Sequence, residues 1–355
     1  MSESSRVVCP LCPLHCDDVL VASDGKVSEP ACAAKKFTTL DSQTERISGV
    51  NLRQIASTGK PIRVITTGVD LVAARQLVQW QQEGTVDVKL ESDPSVRAIG
   101  TVTRRDGIVS ATLSELVTHA DLVWLIGDAQ TEWPRFEDRI RLDQPVPNGS
   151  GKTRVVKRWE RWTADFAGRM HHAIEHPNDD SIESEFQSRA NDFRSSEYAA
   201  VVIAPGAFDP EEAEMTAAMV ARIVRRRNES ARCVCITLDP ASTMRGVHAW
   251  QTNESLAVVD SDEEFASDAF TVRVVGIGEN HPLTRRVDLQ IGGEDPGADL
   301  AKAFMPASPW VNSMVVRGDG SVTLPLEVPA AVSGESSTAI EQLKRVLGKT
   351  GNAIC

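Results

Sequence analysis

YAAVVIAPGA (residues 198–207) runs into PEEAEMTAAMVARIVRRRN (210–228) and then ARCVCITLD (231–239). The first and last pieces are short continuous apolar runs bounded by turn residues, the pattern of strands buried on both faces. The middle piece reads as a helix. Pro210 stands at its start and acids fill its first turn. Arg225, Arg226 and Arg227 close it, where the helix dipole is negative. A solvated cap is preferred here over a basic patch for nucleic acid. Met215, Met219, Val220, Ile223 and Val224 form its expected apolar stripe. Cys233 and Cys235 fall inside the second strand and read as inert core thiols. Strand, helix and strand in this order is the repeating unit of a parallel sheet.

The same alternation extends outward. PIRVITTGV (61–69) reads as a strand, DLVAARQLVQWQQE (70–83) as a helix and VDVKLES (86–92) as a strand. SELVTHADLVWLIGD (114–128) joins a short helix to a buried strand, and FTVRVVGIG (270–278) adds another strand. The expected fold is therefore layered α/β, with parallel sheets covered on both faces. Residues 38–60 are polar and linker-like, and the alternation breaks between 143 and 197. There QPVPNGSGKTRVV and HPNDDSIESE read as an insertion or a domain joint. The tail holds a hairpin, SMVVRGDGSVTLPLEV, and an amphipathic helix, AIEQLKRVLGK. The expected division is a cysteine-rich β module at 1–45, α/β regions at 60–195 and 196–290, and a hairpin with a helix at 291–355.

Composition excludes several functions. A chain of 355 residues with 41% hydrophobic content can bury a sizeable core. Its net charge of −12 disfavours a nucleic-acid backbone, and one Tyr with few other aromatics disfavours a stacking platform. MSESSRVV lacks the pattern of a signal peptide, and no apolar run reaches the length of a membrane span. The expected location is cytoplasmic, with neither membrane nor nucleic acid as partner.

The chemistry-bearing motif lies near the start. CPLCPLHCDDV (9–19) and EPACAAKKF (29–37) give C-x2-C-x3-C-x15-C, with Cys9, Cys12, Cys16 and Cys32 as candidate metal ligands. A short loop can turn its first thiols toward one centre, and a later Cys can close the set. The intervening DVLVASDGKVSE has two β-type runs around Asp24-Gly25, a hairpin signal. Zinc and iron–sulfur both suit four thiolates; the tight triplet with a distant fourth Cys leans toward [4Fe–4S]. His15 sits inside the loop, either tuning such a centre by a hydrogen bond or serving as an ordinary loop residue.

Other motifs are set aside. NGSGKT (148–153) lacks the first Gly of a P-loop, since Val146 stands there, and no strand leads directly into it. Gly276-Ile277-Gly278 is too short for a dinucleotide fingerprint. His171 and His172 diverge on a helix, and His176, spaced four from His172, precedes Pro177 and reads as solvated. Arg317-Gly318-Asp319 reads as a hairpin turn.

CPLCPLHCDDVLVASDGKVSEPACAAKKF resembles the N-terminal module of the B-type subunit of the formylmethanofuran dehydrogenases, a family of the molybdopterin oxidoreductase superfamily. The likeness continues through ATLSELVTHADLVWLIGDAQTEWPRF, through Trp250-Gln251-Thr252 in HAWQTNES, and at the hairpin near Arg317-Gly318-Asp319-Gly320. It implies a layered α/β fold, with a [4Fe–4S] cluster on Cys9, Cys12, Cys16 and Cys32. It also places Lys35 and Lys36 near a lysine that the superfamily often keeps between cluster and pterin; surface charge is the competing reading.

The redox members carry a Cys or selenocysteine in a Ser-Val-Cys-His-Gly-Pro context that ligates molybdenum or tungsten. Here SDPSVRAIGT aligns Ser95 and Val96 and puts Arg97 at the ligand position. A guanidinium stays protonated and offers no lone pair to a metal. This departure argues against a bound molybdopterin or tungstopterin. It resembles the bacterial formyltransferase/hydrolase complex of tetrahydromethanopterin-linked one-carbon oxidation, which needs no electron transfer. That resemblance implies a structural, B-type subunit with A, C and D subunits as partners and no catalytic residue of its own. The alternative is an active dehydrogenase subunit holding both cluster and pterin.

Overall fold

The computed structural model describes residues 4–47, 60–147, 153–259, 269–277, 285–317, 323–332 and 337–348. The chain packs as two units: one from 1–92, 240–318 and 322–355, the other chiefly from 93–239.

The first unit opens with three short strands, β1 (Ser5–Val7), β2 (Val19–Val21) and β3 (Val27–Glu29), in an antiparallel sheet of that order. The β2–β3 turn is the expected one at Asp24-Gly25, where Gly25 N donates to Ala22 O and Asp24 accepts from Lys26 N. Helix α1 (Ala31–Asp41) follows and takes in residues expected to be linker. Then come β4 (Ile62–Thr66), α2 (Leu71–Gln82) and β5 (Asp87–Leu90), close to the bounds read from sequence. Asp70 caps α2 by accepting from the amides of Val72 and Ala73.

The second unit runs through α3 (Pro94–Asp106), α4 (Leu113–His119), β6 (Leu122–Ile126), α5 (Ala129–Glu132) and α6 (Phe136–Ile140). It continues with β7 (Val155–Trp159), α7 (Ala164–Glu175), α8 (Ser184–Ser195), β8 (Tyr198–Ile203), α9 (Ala213–Asn228) and β9 (Arg232–Thr237). Its four strands are parallel in the order β7-β6-β8-β9. The stretch read as an insertion thus holds an edge strand and two helices. VVKRW (155–159) is exposed or half-buried throughout, so its alternation is too weak to announce a strand. The expected boundary near 195/196 falls within this sheet, because β8 lies between β6 and β9. On α9 the core face is Ala213, Ala217, Val220, Ala221, Ile223 and Val224. Met215, placed in the stripe from sequence, is 58% exposed. Its spacing to the core residues puts it just off their face.

The chain then returns to the first unit with α10 (Ser242–Thr252), β10 (Phe270–Val274), β11 (Val287–Ile291), β12 (Ala301–Met305), the hairpin β13 (Ser313–Val316) and β14 (Thr323–Leu326), and α11 (Ala339–Val346). The five main strands are parallel in the order β12-β11-β10-β4-β5. Val64, Val88, Val272, Leu289 and Ala303 share one buried face with Leu77, Met244 and Leu343. The other face carries charge in register: Lys302 pairs with Asp288 and Arg63 with Asp87. The layered α/β fold with parallel sheets expected from sequence is the fold observed.

Both parallel sheets place the second strand on one side of the first and the third on the other. Each therefore has a switch point at the carboxyl ends of its first and third strands. In the first unit that crevice is shut. Ile277 N donates to Gly68 O at 3.0 Å, and a Cβ on Gly68 would lie 1.9 Å from Ile277 O.

Candidate functional site

β1 delivers the chain into the cysteine loop. Cys9 N donates to Cys16 O at 2.7 Å, and His15 N donates to Cys12 O at 3.0 Å, so the loop closes on itself. His15 takes a left-handed backbone, with φ 44°. Its Nδ1 lies 2.9 Å from Cys9 O. A carbonyl only accepts, so Nδ1 carries the proton and Nε2 the lone pair. The hairpin β2–β3 brings the chain back to α1, whose second residue is Cys32. Pro30 gives α1 no side-chain cap.

The environment of the thiols is set by burial. Desolvation, then the charge of Cys12, pushes Cys9 well up, with Cys16 and Cys32 adding to it. Desolvation, then Cys16, pushes Cys12 up to about 12, again with Cys32 contributing. The backbone opposes both shifts. The Leu11 amide favours the Cys9 thiolate, and the Leu14 and His15 amides favour that of Cys12. Amides directed at sulfur stabilise thiolates once a cation neutralises them. The four residues are thus electrostatic neighbours. Among the described residues, no group of three or more His, Cys, Asp or Glu side chains is drawn together as a metal-holding set. The donor chemistry suits a thiolate-bound centre: four sulfurs, with amides on two of them. The imidazole beside them is neutral, its pKa lowered to about 4 chiefly by burial.

The other residues singled out from sequence lie elsewhere. Arg97 is half-buried in the first turn of α3. Asp93 caps the same helix. One oxygen accepts from Ser95 N and Val96 N, the other from Gly206 N. Lys36 pairs with Glu294 at 2.8 Å on the surface. Trp250 is 71% exposed on α10, its ring lying along Gly246. Thr252 turns inward, donating to His248 O at 2.8 Å. Cys233 and Cys235 are buried in β9 as expected, both raised chiefly by desolvation. Residues 148–152 of NGSGKT, and Gly278, Gly318 and Asp319, lie outside the described residues.

Sequence reasoning passed over a cavity of about 420 Å³ in the second unit, lined by Asp165, Arg169, His172, Ser181, Glu183 and Phe186 among others. His172 Nε2 lies 3.1 Å from Asp179 Oδ2, while Ser181 Oγ and N donate to Oδ1. Those bonds, Ser181 first, hold Asp179 down at about 2. Its charges are already paired, Arg169 with Glu183 at 2.5 Å. The stretch HPNDDSIESE reads as loop, and only its density of His and Asp points to this place.

No family model matches the sequence, and no curated protein matches it. Among solved structures, the chain is similar to a chain in the X-ray crystal structure of the formyltransferase/hydrolase complex (FhcABCD) from Methylorubrum extorquens in complex with methylofuran. The TM-score is 0.62 at 17% identity, covering 86% of this chain and 98% of that one. At that identity the likeness is one of fold.

Proposed function

We propose that this chain is a non-redox, structural subunit of a formyltransferase/hydrolase-type complex in tetrahydromethanopterin-linked one-carbon metabolism, corresponding to its B-type subunit, with A, C and D relatives as partners. The observation that carries this reading is the fold likeness across 98% of a chain of such an assembly. The heteromeric nature of that neighbour supports action through the surface. Trp250, in the Trp-Gln-Thr stretch, offers the kind of exposed aromatic that anchors an interface.

Two features support the non-redox part. Arg97 stands where a metal-ligating thiol would be needed, and its guanidinium offers no ligand. The crevice at the β4/β10 switch point, where dinucleotide-type cofactors bind, is closed by the Gly68–Ile277 contact. The amides at the start of α2 are held by Asp70 rather than left for a pyrophosphate. The residues at this switch point do not fit a pterin dinucleotide. The cysteine loop offers four thiols whose donor chemistry suits a thiolate-ligated centre, and Cys9, Cys12, Cys16 and Cys32 would hold it once drawn together. Such a centre, when bound, supplies electron storage if it is [4Fe–4S], or a structural cross-link of the loop to α1 if it is zinc.

Co-expression with A, C and D relatives tests the reading. The expected result is a stable heteromer that transfers and hydrolyses formyl groups without molybdenum or tungsten. A chain that stays monomeric beside those partners, or one holding either metal at about one per chain, refutes it.

A further inference from the structure

A parallel sheet ends on both sides in strands whose outward amides and carbonyls lack a strand to pair with. In the first unit the chain itself covers them. On β12, Phe304 exchanges both backbone bonds with Arg46, at 2.9 and 2.7 Å, and the Arg46 guanidinium donates to Ala301 O and Lys302 O. On β5, Leu90 N donates to Ala257 O and Leu90 O accepts from Val259 N, both at 2.9 Å. In the second unit β9 is covered likewise. The Asn228 side chain takes both the amide and the carbonyl of Cys233, and Cys235 N donates to Val109 O at 2.8 Å.

β7, at the other end of that sheet, is left open among the described residues. Val155 N donates to Asp121 O at 2.8 Å, and Trp159 O accepts from Gly127 N at 2.9 Å. Val155, Lys157 and Trp159 therefore turn their backbone groups toward β6. Val156 and Arg158 turn theirs outward, and among the described residues those groups have no partner. The devices that usually blunt an edge are missing from this strand. It holds no Pro, and its register with β6 runs unbroken over all five residues. Its two cations are tied back, one on each face of the sheet. Lys157 pairs with Asp192 of α8 at 2.9 Å, and Arg158 donates to both oxygens of Glu137 of α6 at 3.0 and 2.9 Å. The stretch RVVKRWER (154–161) carries four cations and one acid in a chain of net charge −12.

We propose that the open edge of β7 is a docking site for an extended segment of a partner polypeptide, which adds to the sheet as a fifth strand and sets acidic residues against this basic stretch. Backbone pairing at Val156 and Arg158 supplies the affinity, and the charge of the stretch selects the partner. A second copy of this chain is the poorer occupant. Antiparallel pairing of two β7 strands about their centre sets Lys157 against its own counterpart, and pairing about Arg158 does the same there. Like charges directly opposite are destabilising. The site is independent of the formyl-transfer reading, since it is built from β7 alone.

The test uses the full chain and a fluorescein-labelled peptide of alternating Glu and Val, beside a copy with every amide N-methylated. Fluorescence anisotropy reads binding, and hydrogen–deuterium exchange reads the amides of residues 153–160. Val156→Pro removes one outward donor and spares the bonds to β6; Arg158→Glu reverses one charge. Circular dichroism establishes that each variant is folded. The expected result is saturable binding with slowed exchange in 153–160, weakened about tenfold or more by Val156→Pro and by N-methylation of the peptide. Arg158→Glu and added salt weaken it as well. Should Val156→Pro not fold, the N-methylated peptide carries the comparison. Equal binding of the N-methylated peptide means charge attraction without strand pairing and overturns the proposal. So does a lack of saturable binding at about millimolar peptide. A dimer in sedimentation that Val156→Pro abolishes makes a second copy the occupant and overturns the assignment to a partner.

Discussion

Arg154→Met is expected to cost the second unit about 4 kcal/mol of stability. Arg154 is 6% exposed, and its guanidinium is spent on backbone oxygens. Nε donates to Ala120 O at 2.8 Å, and one terminal nitrogen donates to Ile140 O at 2.9 Å and Arg141 O at 2.6 Å. The other donates to Val117 O at 2.7 Å. These carbonyls end α4 and α6, so one guanidinium caps the negative ends of two helices. A hydrogen bond from a charged donor contributes about 1.5–3 kcal/mol, and four on one group do not add in full. Burial of the cation offsets part of the gain, and removing a buried charged partner costs about 3–5 kcal/mol overall. Methionine fills the volume but donates nothing. Arg141 O keeps the amide of Gln144, and the other three carbonyls lose their charged donor. Urea unfolding followed by tryptophan fluorescence reads the effect, because Trp124, Trp133, Trp159 and Trp162 all lie in this unit. Arg154→Lys is expected to recover less than half, since one ammonium cannot span two helix ends. A loss below about 1 kcal/mol for the methionine variant, or a lysine variant as stable as wild type, refutes the double-cap account.

Further outcomes follow from the same structure. Cys233 and Cys235 have folded pKa values above the ordinary 9.0, so their contribution to stability is complete below about pH 9 and is lost as pH rises toward about 12. Over that window unfolding stability of the second unit should fall by about 1.4 kcal/mol per pH unit for each thiol, and Cys235→Ala should flatten the slope measured by urea titration. Trp250→Ala should leave thermal stability almost unchanged yet weaken assembly with partner subunits about tenfold or more in a pull-down or sedimentation series; equal assembly would remove Trp250 from the interface. Arg97→Cys should yield no formylmethanofuran oxidation in a viologen-dye assay of the complex, since the rest of the ligand motif is missing; dye reduction by either form would reverse the non-redox reading.

Much of this fold is legible in the sequence because its buried strands are unmistakable. LVWLI (122–126) and YAAVVI (198–203) are apolar runs flanked by turn residues, and both are central strands. The Asp24-Gly25 hairpin is equally plain. What the sequence hides shares a physical cause. VVKRW (155–159) is an edge strand with a wet face, so nothing in its pattern separates it from a polar loop. The grouping of strands into sheets depends on pairings between distant segments, as when β4 meets β10 after the whole second unit has intervened. Local periodicity holds no trace of that. The cysteines announce themselves by spacing, whereas Arg154 does not, because its partners are carbonyls that every sequence has.

The two switch points show one solution reached twice. In the first unit Gly68 follows β4 and lies against the loop after β10, where a Cβ would meet Ile277 O at 1.9 Å. In the second, Gly127 follows β6 and lies against the loop after β8, where a Cβ would meet Pro205 O at 2.8 Å and Ala207 N at 3.0 Å. Glycine at that position lets two loop backbones touch, so each crevice is filled by the chain itself. Asp70 and Asp128 then take the amides that open the next helix in each unit. An anion arriving at either place would meet a carboxylate already seated on the donors it needs, in a chain of net charge −12. A doubly wound sheet usually holds its ligand at this point. Where the two loop backbones touch in each unit, neither sheet leaves that point open among the described residues.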